Sequence, residues 1–427
     1  MDQRRFDDQR HVGAAEASRI LGVKLETLYA YASRGLVRSV PAERGRARRY
    51  AVADLAILRA RHDARSGHGP VAAAALRWGE PVLDSSISAI GAHGPMYRGT
   101  SAIELAERGA TIEDAAHLLW NAGDTARGAW RCDSLGVSAS RLSAIAPRDA
   151  RPLDVIAILV PALAATDRDR FGATDESEHA RGRALVRRMA ASVALRRGPA
   201  AVDHALGAET IAALIGRALL GRARRAGPAN REVVRAIDAA LVLSADHELN
   251  ASTFAARVAA STGADLYACV GAALATLSGP KHGGSSDRIE ALVGEARRPE
   301  RAREIVRERA RRGEGIPGFG HPLYLRGDPR AAFLIDLVRA LAGSARRASP
   351  ALATLLALVD AMHESGAERA ALDVALVAVA MALRLPPGSA SVLFAIGRSV
   401  GWIAHVIEQR HAGYLVRPRA RYVGAPA

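Results

Sequence analysis

Three histidines stand in local settings unlike the rest of this sequence. His247 lies in Ser244-Ala245-Asp246-His247-Glu248-Leu249-Asn250-Ala251-Ser252, where an apolar helical run stops in a dense polar cluster and then resumes. His282 lies in Gly279-Pro280-Lys281-His282-Gly283-Gly284, and His321 in Gly318-Phe319-Gly320-His321-Pro322. Glycine beside a histidine lets backbone and ligand approach closely and frees φ for shapes other residues resist. Each histidine alone reads more readily as a hydrogen-bonded structural residue; three of them in such breaks point to a site. A metal would need ligands at close helical or loop spacing. These histidines are about 35 to 40 positions apart with no cysteine beside them, so no metal site is read. Asp373 stands alone in the apolar run Ala370-Ala371-Leu372-Asp373-Val374-Ala375-Leu376-Val377. A buried carboxylate is costly unless paired or functional, and burial raises its pKa toward that of a useful base at neutral pH. Asp373 also fits an N-cap that opens its helix, and the two readings are compatible. Arg330 follows His321 in Gly327-Asp328-Pro329-Arg330, Arg398 interrupts the apolar run Ser391–Gly397, and Arg417 and Arg419 form Arg-Pro-Arg near the end. A guanidinium in an apolar helix needs an anion, and a carboxylate suits its fork. Arg417 and Arg419 alone read as readily as a solvated tail. Together these residues suit a small dicarboxylate or keto-acid with a carboxylate base beside it. That chemistry is proton abstraction next to a carbonyl followed by carbon–carbon bond formation.

The elements that must position these groups are helices. About half of the 427 residues are apolar and few are aromatic, so Ala, Leu and Val fill the core. Small residues allow close helix packing, and strand-like runs are scarce, which predicts an all-α body. Apolar residues recur at helical spacing over 101–121, 151–165, 180–197, 204–225, 230–244, 252–277, 288–312, 331–342, 350–363, 368–384 and 389–408. Gly and Pro clusters interrupt them at 278–284, 313–322 and 385–388. The net charge of +15 invites a nucleic-acid role for the whole chain. Lysine, however, occurs only at Lys24 and Lys281, so the charge reflects an Arg-rich composition and reads mainly as a solvated surface. Cys132 and Cys269 form no CxxC pair and predict neither a metal framework nor a disulfide scaffold. The charged opening residues do not resemble a signal peptide. Asp265, Asp373 and Arg398 break the longest apolar stretches, so no membrane span and a cytoplasmic location are expected.

Residues 1–65 read as a separate unit. Ala14, Ala17, Ile20 and Leu21 recur at helical spacing, Gly22-Val23 breaks the helix, and a second begins near Leu25 and runs through Leu28 and Tyr31 to Gly35. The basic segment Arg44-Gly45-Arg46-Ala47-Arg48-Arg49-Tyr50 follows, and Asp54 opens another helix. Helix, tight turn and helix present a second helix to a major groove, with Arg46, Arg48 and Arg49 in a wing placed to meet phosphates. AAEASRILGVKLETLYAYASRGLV with RARRYAVADL resembles the winged helix-turn-helix of MerR and excisionase proteins. A small helical domain used for dimerisation or regulation without DNA fits the same residues. A linker is expected at 66–78.

From about residue 79 onward the chain resembles citrate synthases. The motifs are MYRGTSAIELAERGATIEDAAHLLWNAG, SADHELNASTFAARVAAST, GPKHGG, GFGHPLYLRGDPR, LPPGSASVLFAIGRSVGWIAHVIEQ and LVRPRARYVG, in order. The resemblance implies an all-helical fold over 79–427, with a small domain over roughly 252–362 inserted in a large one, working as a homodimer. It implies that acetyl-CoA condenses with oxaloacetate and that water then releases citrate and CoA, a step of the tricarboxylic acid cycle, with no cofactor beyond the CoA thioester. Asp373 would take the methyl proton, His282 would stabilise the enol at the thioester oxygen, and His321 would polarise the oxaloacetate carbonyl. His247, Arg330 and Arg398 would hold oxaloacetate, and Arg417 would reach across the dimer interface. Ile316, Pro317, Gly318, Phe319 and Gly320 would hold the CoA adenine through backbone contacts. One departure stands out. The family usually carries Asn-Val-Asp-Phe-Tyr-Ser-Gly around the base, where this chain has Ala371-Leu372-Asp373-Val374-Ala375-Leu376-Val377. Those neighbours help shape the acyl pocket, so propionyl-CoA, giving 2-methylcitrate, is the alternative donor. A DNA-binding metabolite sensor built on this body is the alternative of another class.

Overall fold

A computed structural model describes residues 11–33, 36–41, 48–52, 54–55, 58, 83–91, 93–123, 130–147, 149–172, 174–221, 228–344, 349–418 and 424. The chain divides into two compact units, Met1–Asp84 with Arg417–Ala427, and Ser85–Val416. Of the residues expected in the wing, Arg46 lies outside the described residues, as does the expected linker at 66–78.

In the first unit, β1 (His11–Gly13) leads into α1 (Ala14–Leu21), α2 (Leu25–Ser33), β2 (Ser39–Pro41) and β3 (Arg48–Ala51). α1 stops because Gly22 takes φ +65. Its N–H donates to Arg19 O and that of Val23 to Ser18 O, the paired bonds that close a helix on a left-handed residue. The strands form an antiparallel sheet in the order β1-β3-β2, so β2 and β3 make the expected wing. Val12, Ala17, Leu21, Leu28, Val37, Tyr50 and Leu55 build a core of their own under it. Both oxygens of Asp54 take the Arg38 guanidinium, tying the segment after β3 to the start of the wing.

The second unit opens with β4 (Ser88–Gly91), β5 (Gly94–Tyr97) and β6 (Thr100–Ser101), a small antiparallel sheet that the helical reading did not foresee. Then come α3 (Ala102–Glu107), α4 (Ile112–Leu119), α5 (Ala139–Ile145), α6 (Pro152–Thr166), α7 (Asp175–Ser192), α8 (Pro199–Leu206) and α9 (Ile211–Leu220). They are followed by α10 (Pro228–Ser244), α11 (Ala251–Ser261), α12 (Leu266–Leu277), α13 (Ser285–Ala296) and α14 (Ala302–Arg311). The last are α15 (Pro329–Ser344), α16 (Pro350–Glu364), α17 (Leu372–Ala382) and α18 (Ser389–Ala412).

Several expected helices are shorter than their apolar period because caps and left-handed residues cut them. The run 101–121 breaks at Gly109 (φ +74) and restarts at Thr111, whose side chain and that of Asp114 cap each other's backbone. The run 252–277 breaks at Gly263 (φ +80), and Asp265 caps α12 by accepting from Ala268 N. Arg297, at φ +62, ends α13 within 288–312. The run 368–384 becomes helical only at Leu372, because the preceding residues pair as an extended segment with 318–320.

α18 is the central element. By length and composition it could cross a membrane, contrary to the expectation that Arg398 breaks the run, but 89% of its apolar window is buried inside the protein. It meets α10 backbone to backbone. A Cβ on Gly397 would lie 2.6 Å from Leu241 O, and one on Gly401 2.2 Å from Ala245 O. Gly401 N–H donates to Ala245 O at 3.1 Å, so two glycines one helical turn apart fix where α10 ends and the polar segment at 245–250 begins.

Candidate active site

His247 sits just beyond the end of α10 in a segment held from three sides. Asp246, fully buried, accepts from Ser88 Oγ and lies 3.3 Å from His405 Nε2 on α18. Burial alone would raise its pKa, but His405 and Arg398 outweigh that and hold the carboxylate below its usual range. Glu248 takes φ +51 and donates its N–H to Ser88 Oγ at 3.1 Å, while its carboxylate accepts from Ile90 N at 2.9 Å. The unforeseen sheet thus clamps the segment that aims His247. His247 is itself buried, and its Nε2 lies 2.8 Å from the Tyr324 hydroxyl. Burial first, then Arg330 and Arg398, push its pKa well below the ordinary value, so the ring is neutral.

His282 rides on a tight turn after α12. Its N–H donates to Gly279 O, and Gly283 N–H to Leu277 O at 2.8 Å. A Cβ on Gly283 would fall 2.4 Å from that same oxygen, so the turn admits no side chain there. His282 Nε2 is 2.8 Å from Ser252 Oγ, which also accepts from Trp402 Nε1 at 3.2 Å and lies 2.7 Å from Asn250 Oδ1; with the hydroxyl donating its proton to Nε2, the N–H of the neutral ring is at Nδ1. The ring meets Phe394 edge-on at 6.2 Å, and the Arg398 guanidinium lies over the Phe394 face at 4.6 Å. Burial and Arg398 push His282 down to about 4, so it too is neutral near pH 7.

His321 packs against both neighbours, 5.3 Å from the His247 ring and 5.0 Å from Tyr324, and its Nδ1 accepts from Leu323 N. Its pKa is lowered by burial and by Arg330. Arg330, at the first turn of α15, is buried and forked onto Asp328, with Nε to Oδ1 at 3.0 Å and Nη2 to Oδ2 at 2.8 Å. Burial works against its charge, but Asp328 more than offsets that and raises its pKa. Arg398 donates Nε–H to Ser244 O at 2.7 Å; burial brings it down to about 10, which leaves it charged at neutral pH.

Asp373 is not the cap of α17. Ala371 holds the N-cap position and Asp373 stands in the first turn. Leu372 N–H at the helix start is taken instead by Asp328 Oδ2 at 3.2 Å. Asp373 keeps part of its surface open, yet protein encloses it closely enough that burial pushes its pKa up to about 6, against the pull of Arg330 and Arg398. Just upstream, Gly320 N–H donates to Arg369 O at 2.8 Å and Ala371 N–H to Gly318 O at 2.9 Å. The segment Ile316–Gly320 is thereby zipped to the residues that lead into Asp373. Phe319 is buried, and Gly318 and Gly320 hold φ of +81 and +84. Gly318 C=O and Gly320 N–H are spent in this pairing.

His247, His321, Arg330, Arg398, His282 and Asp373 therefore gather in the second unit, linked by ring contacts and by the two buried guanidinium charges. Arg417 is not among them: it is exposed in the tail beyond α18 and belongs to the first unit. Residue-by-residue reading passed over Asp328, Tyr324, Ser252, Asp246 and His405. Only Asp328 carried a local signal, an acid just before a proline at a helix start.

Residues 75–419, most of the chain, match the family model described as citrate synthase, C-terminal domain. The chain belongs to the citrate synthase family. Residues 14–69 match the MerR HTH family regulatory protein model. A "Putative citrate synthase 2" of Mycobacterium tuberculosis is 41% identical over 194 residues, 45% of this chain and 52% of the relative. The chain thus spans about half the length of that relative. A "2-methylcitrate synthase 2" of Corynebacterium glutamicum is 29% identical over 341 residues, 77% of this chain and 88% of the relative. The crystal structure of citrate synthase from Thermotoga maritima aligns with a TM-score of 0.65 at 27% identity, covering 81% of this chain and 94% of that one. The family's body is helical, in keeping with the all-α reading, and the family match takes in every residue of the cluster.

Proposed function

We propose that this chain condenses acetyl-CoA with oxaloacetate and water to give citrate and CoA. The observation that carries the reading is Asp373, a carboxylate lifted to about 6 and set near two buried arginines. A thioester methyl proton is very weakly acidic, so a base must act together with a donor at the carbonyl oxygen. Asp373 takes the proton and His282, neutral and held by Ser252, supplies the donor. His321 polarises the ketone carbonyl, while His247, Arg330 and Arg398 hold the carboxylates of oxaloacetate. The enol carbon then attacks the ketone carbon, and water cleaves the resulting citryl thioester to free CoA. Acid–base help of this kind contributes about 10²–10⁴-fold per group, and fixed charges supply more. The segment Ile316–Gly320 carries the CoA adenine on its remaining backbone groups, Arg417 completes the site of a second copy in a cytoplasmic homodimer, and no metal or redox cofactor is required. The large domain is interrupted by a small one over roughly 252–362.

Acetyl-CoA and propionyl-CoA are told apart by the residues after Asp373, where Val374, Ala375, Leu376 and Val377 are all buried and apolar. Relatives carry both names, citrate synthase and 2-methylcitrate synthase. The test is release of free CoA from each thioester, with and without oxaloacetate. Release that needs oxaloacetate and vanishes in Asp373→Ala is expected. No release from either thioester overturns the reading, and faster release from propionyl-CoA turns it to 2-methylcitrate.

The first unit supports a second, compatible reading, a regulator that binds DNA. α2 exposes Tyr29 on its surface, and Arg48 and Arg49 lie exposed on the wing. Both are steadied there, Arg48 by Ser39 and Arg49 by His11 O. Binding to DNA from the encoding locus should weaken as salt rises and be lost when Arg46, Arg48 and Arg49 are all changed to Ala. Binding unaltered in that triple variant, or none in the parent, overturns it.

A further inference from the structure

The loop between His321 and Arg330 buries an unexpected residue. Leu323 and Leu325 flank Tyr324, and the two leucines are 44% and 90% exposed while Tyr324 is 8% exposed. Burial of apolar area alone would put a leucine inside first. The loop is also pinned in this arrangement: Tyr324 N–H donates to His321 O at 3.0 Å, Gly327 N–H donates to Tyr324 O at 2.9 Å, and Asp328 anchors the far end. The tyrosine is therefore held inward for what its ring and hydroxyl touch.

It touches three of the four groups assigned above to oxaloacetate. Its hydroxyl is 2.8 Å from His247 Nε2, its ring lies 5.0 Å from His321, and the Arg330 guanidinium stands 5.4 Å over its face. A guanidinium over a tyrosine face is attracted to the ring. A phenol oxygen can donate to a bare ring nitrogen or accept from a protonated one, so it partners His247 in either tautomer. We infer that Tyr324 is a positioning residue of the oxaloacetate half-site, orienting His247 through its hydroxyl and seating Arg330 under its ring. The inference rests on the oxaloacetate reading given above. Burial pushes the hydroxyl up to about 12, so it keeps its proton throughout the working range. Without it, Nε2 of a buried, neutral imidazole would be left with no partner, which costs more than the bond itself contributes.

Two variants of the full chain separate the two contacts. Tyr324→Phe keeps the ring and loses the hydroxyl; Tyr324→Leu loses both. Oxaloacetate affinity is measured by calorimetry, which needs no turnover, beside KM and kcat from CoA release. Tyr324→Phe is expected to weaken oxaloacetate binding about tenfold, the loss of one buried hydrogen bond. KM for oxaloacetate should rise in step, with kcat and the KM for acetyl-CoA within about twofold. Tyr324→Leu should weaken binding further, and unchanged melting of Tyr324→Phe shows that the fold is intact. Unchanged or tighter binding in Tyr324→Phe overturns the inference while leaving the condensing reading in place, as does an equal loss for both substrates. If the parent chain itself binds no oxaloacetate and releases no CoA, the condensing reading falls, and the role of Tyr324 falls with it.

Discussion

Taking a proton from carbon at neutral pH asks for a base whose pKa lies near the working pH, and Asp373 meets that condition through where it is placed. Burial raises it to about 6; the arginines keep it from rising further. The sign of the pH effect follows. As the proposed base, Asp373 works only when ionised, so activity should be lost as pH falls through about 6 and be full above about 7. His282, at about 4, stays neutral over that window and adds no limb of its own. CoA release under kcat/KM conditions should therefore climb from pH 5 to 7.5 with a half-maximum near 6. Asp373→Asn should lower the plateau by about 10²–10⁴-fold while retaining oxaloacetate binding. A flat profile, or an acid limb centred near 4, would show that this carboxylate is not the base. Asp328 explains why Asp373 stands where it does. One side chain pairs Arg330, takes Leu372 N–H, and so locks the start of α15 to the start of α17.

At the scale of elements, what was legible in the sequence followed from local pattern, and what was not came from contacts far apart in the chain. The histidines, the aspartate and the two buried arginines were readable because glycines, prolines or apolar runs set each apart within ten residues. Helical period located most helices but overran their ends, since Gly263, Arg297 and the pairing of 318–320 with 369–371 interrupt runs whose helical spacing of apolar residues continues across the break. The sheet at 88–101 was invisible because its strands are two to four residues long. The anchoring of Asp246 by Ser88 and His405 spans 158 and 159 positions, beyond any local motif. The α10–α18 crossing belongs to the same class, and it is testable. A Cβ at Gly401 would meet backbone at 2.2 Å and Asp246 Oδ1 at 2.5 Å, so neither a rotamer change nor a flexible tip can relieve it. Gly401→Ala should lower stability by about 1–3 kcal/mol, as overpacking of a tight core does. It should also raise the KM for oxaloacetate, because the segment that aims His247 is what must yield. Thermal melting and KM measured together decide it: a loss of stability without a change in KM would separate the crossing from the site.

For the molecule as a whole, the second unit is held by one large apolar core in which a few acidic groups are embedded away from the site. Asp238 on α10 is 6% exposed and accepts from Ile112 N at 3.2 Å, at the start of α4; Glu113 beside it accepts from Ile211 N at 2.7 Å, at the start of α9. Arg187 ties α7 to the α8–α9 connection through Leu206 O and Ala208 O. Two acids thus cap two helices in a dry setting. Burial, with Glu113 adding to it, lifts Asp238 to about 8. In the unfolded chain the same group ionises near 3.8, the ordinary value. The folded state therefore holds a proton that the unfolded state gives up. The stability this contributes is fully present below about pH 4 and is lost progressively as pH rises toward 8. Asp238→Asn stays neutral at every pH and can still accept from Ile112 N. Urea midpoints for parent and variant should converge toward pH 4 and separate toward pH 8, the variant becoming the more stable by an amount on the order of a few kcal/mol at most. Curves that stay parallel across that window would mean that Asp238 ionises in the folded protein as readily as in the unfolded one, and that the α4–α10 contact does not govern the alkaline side of its stability.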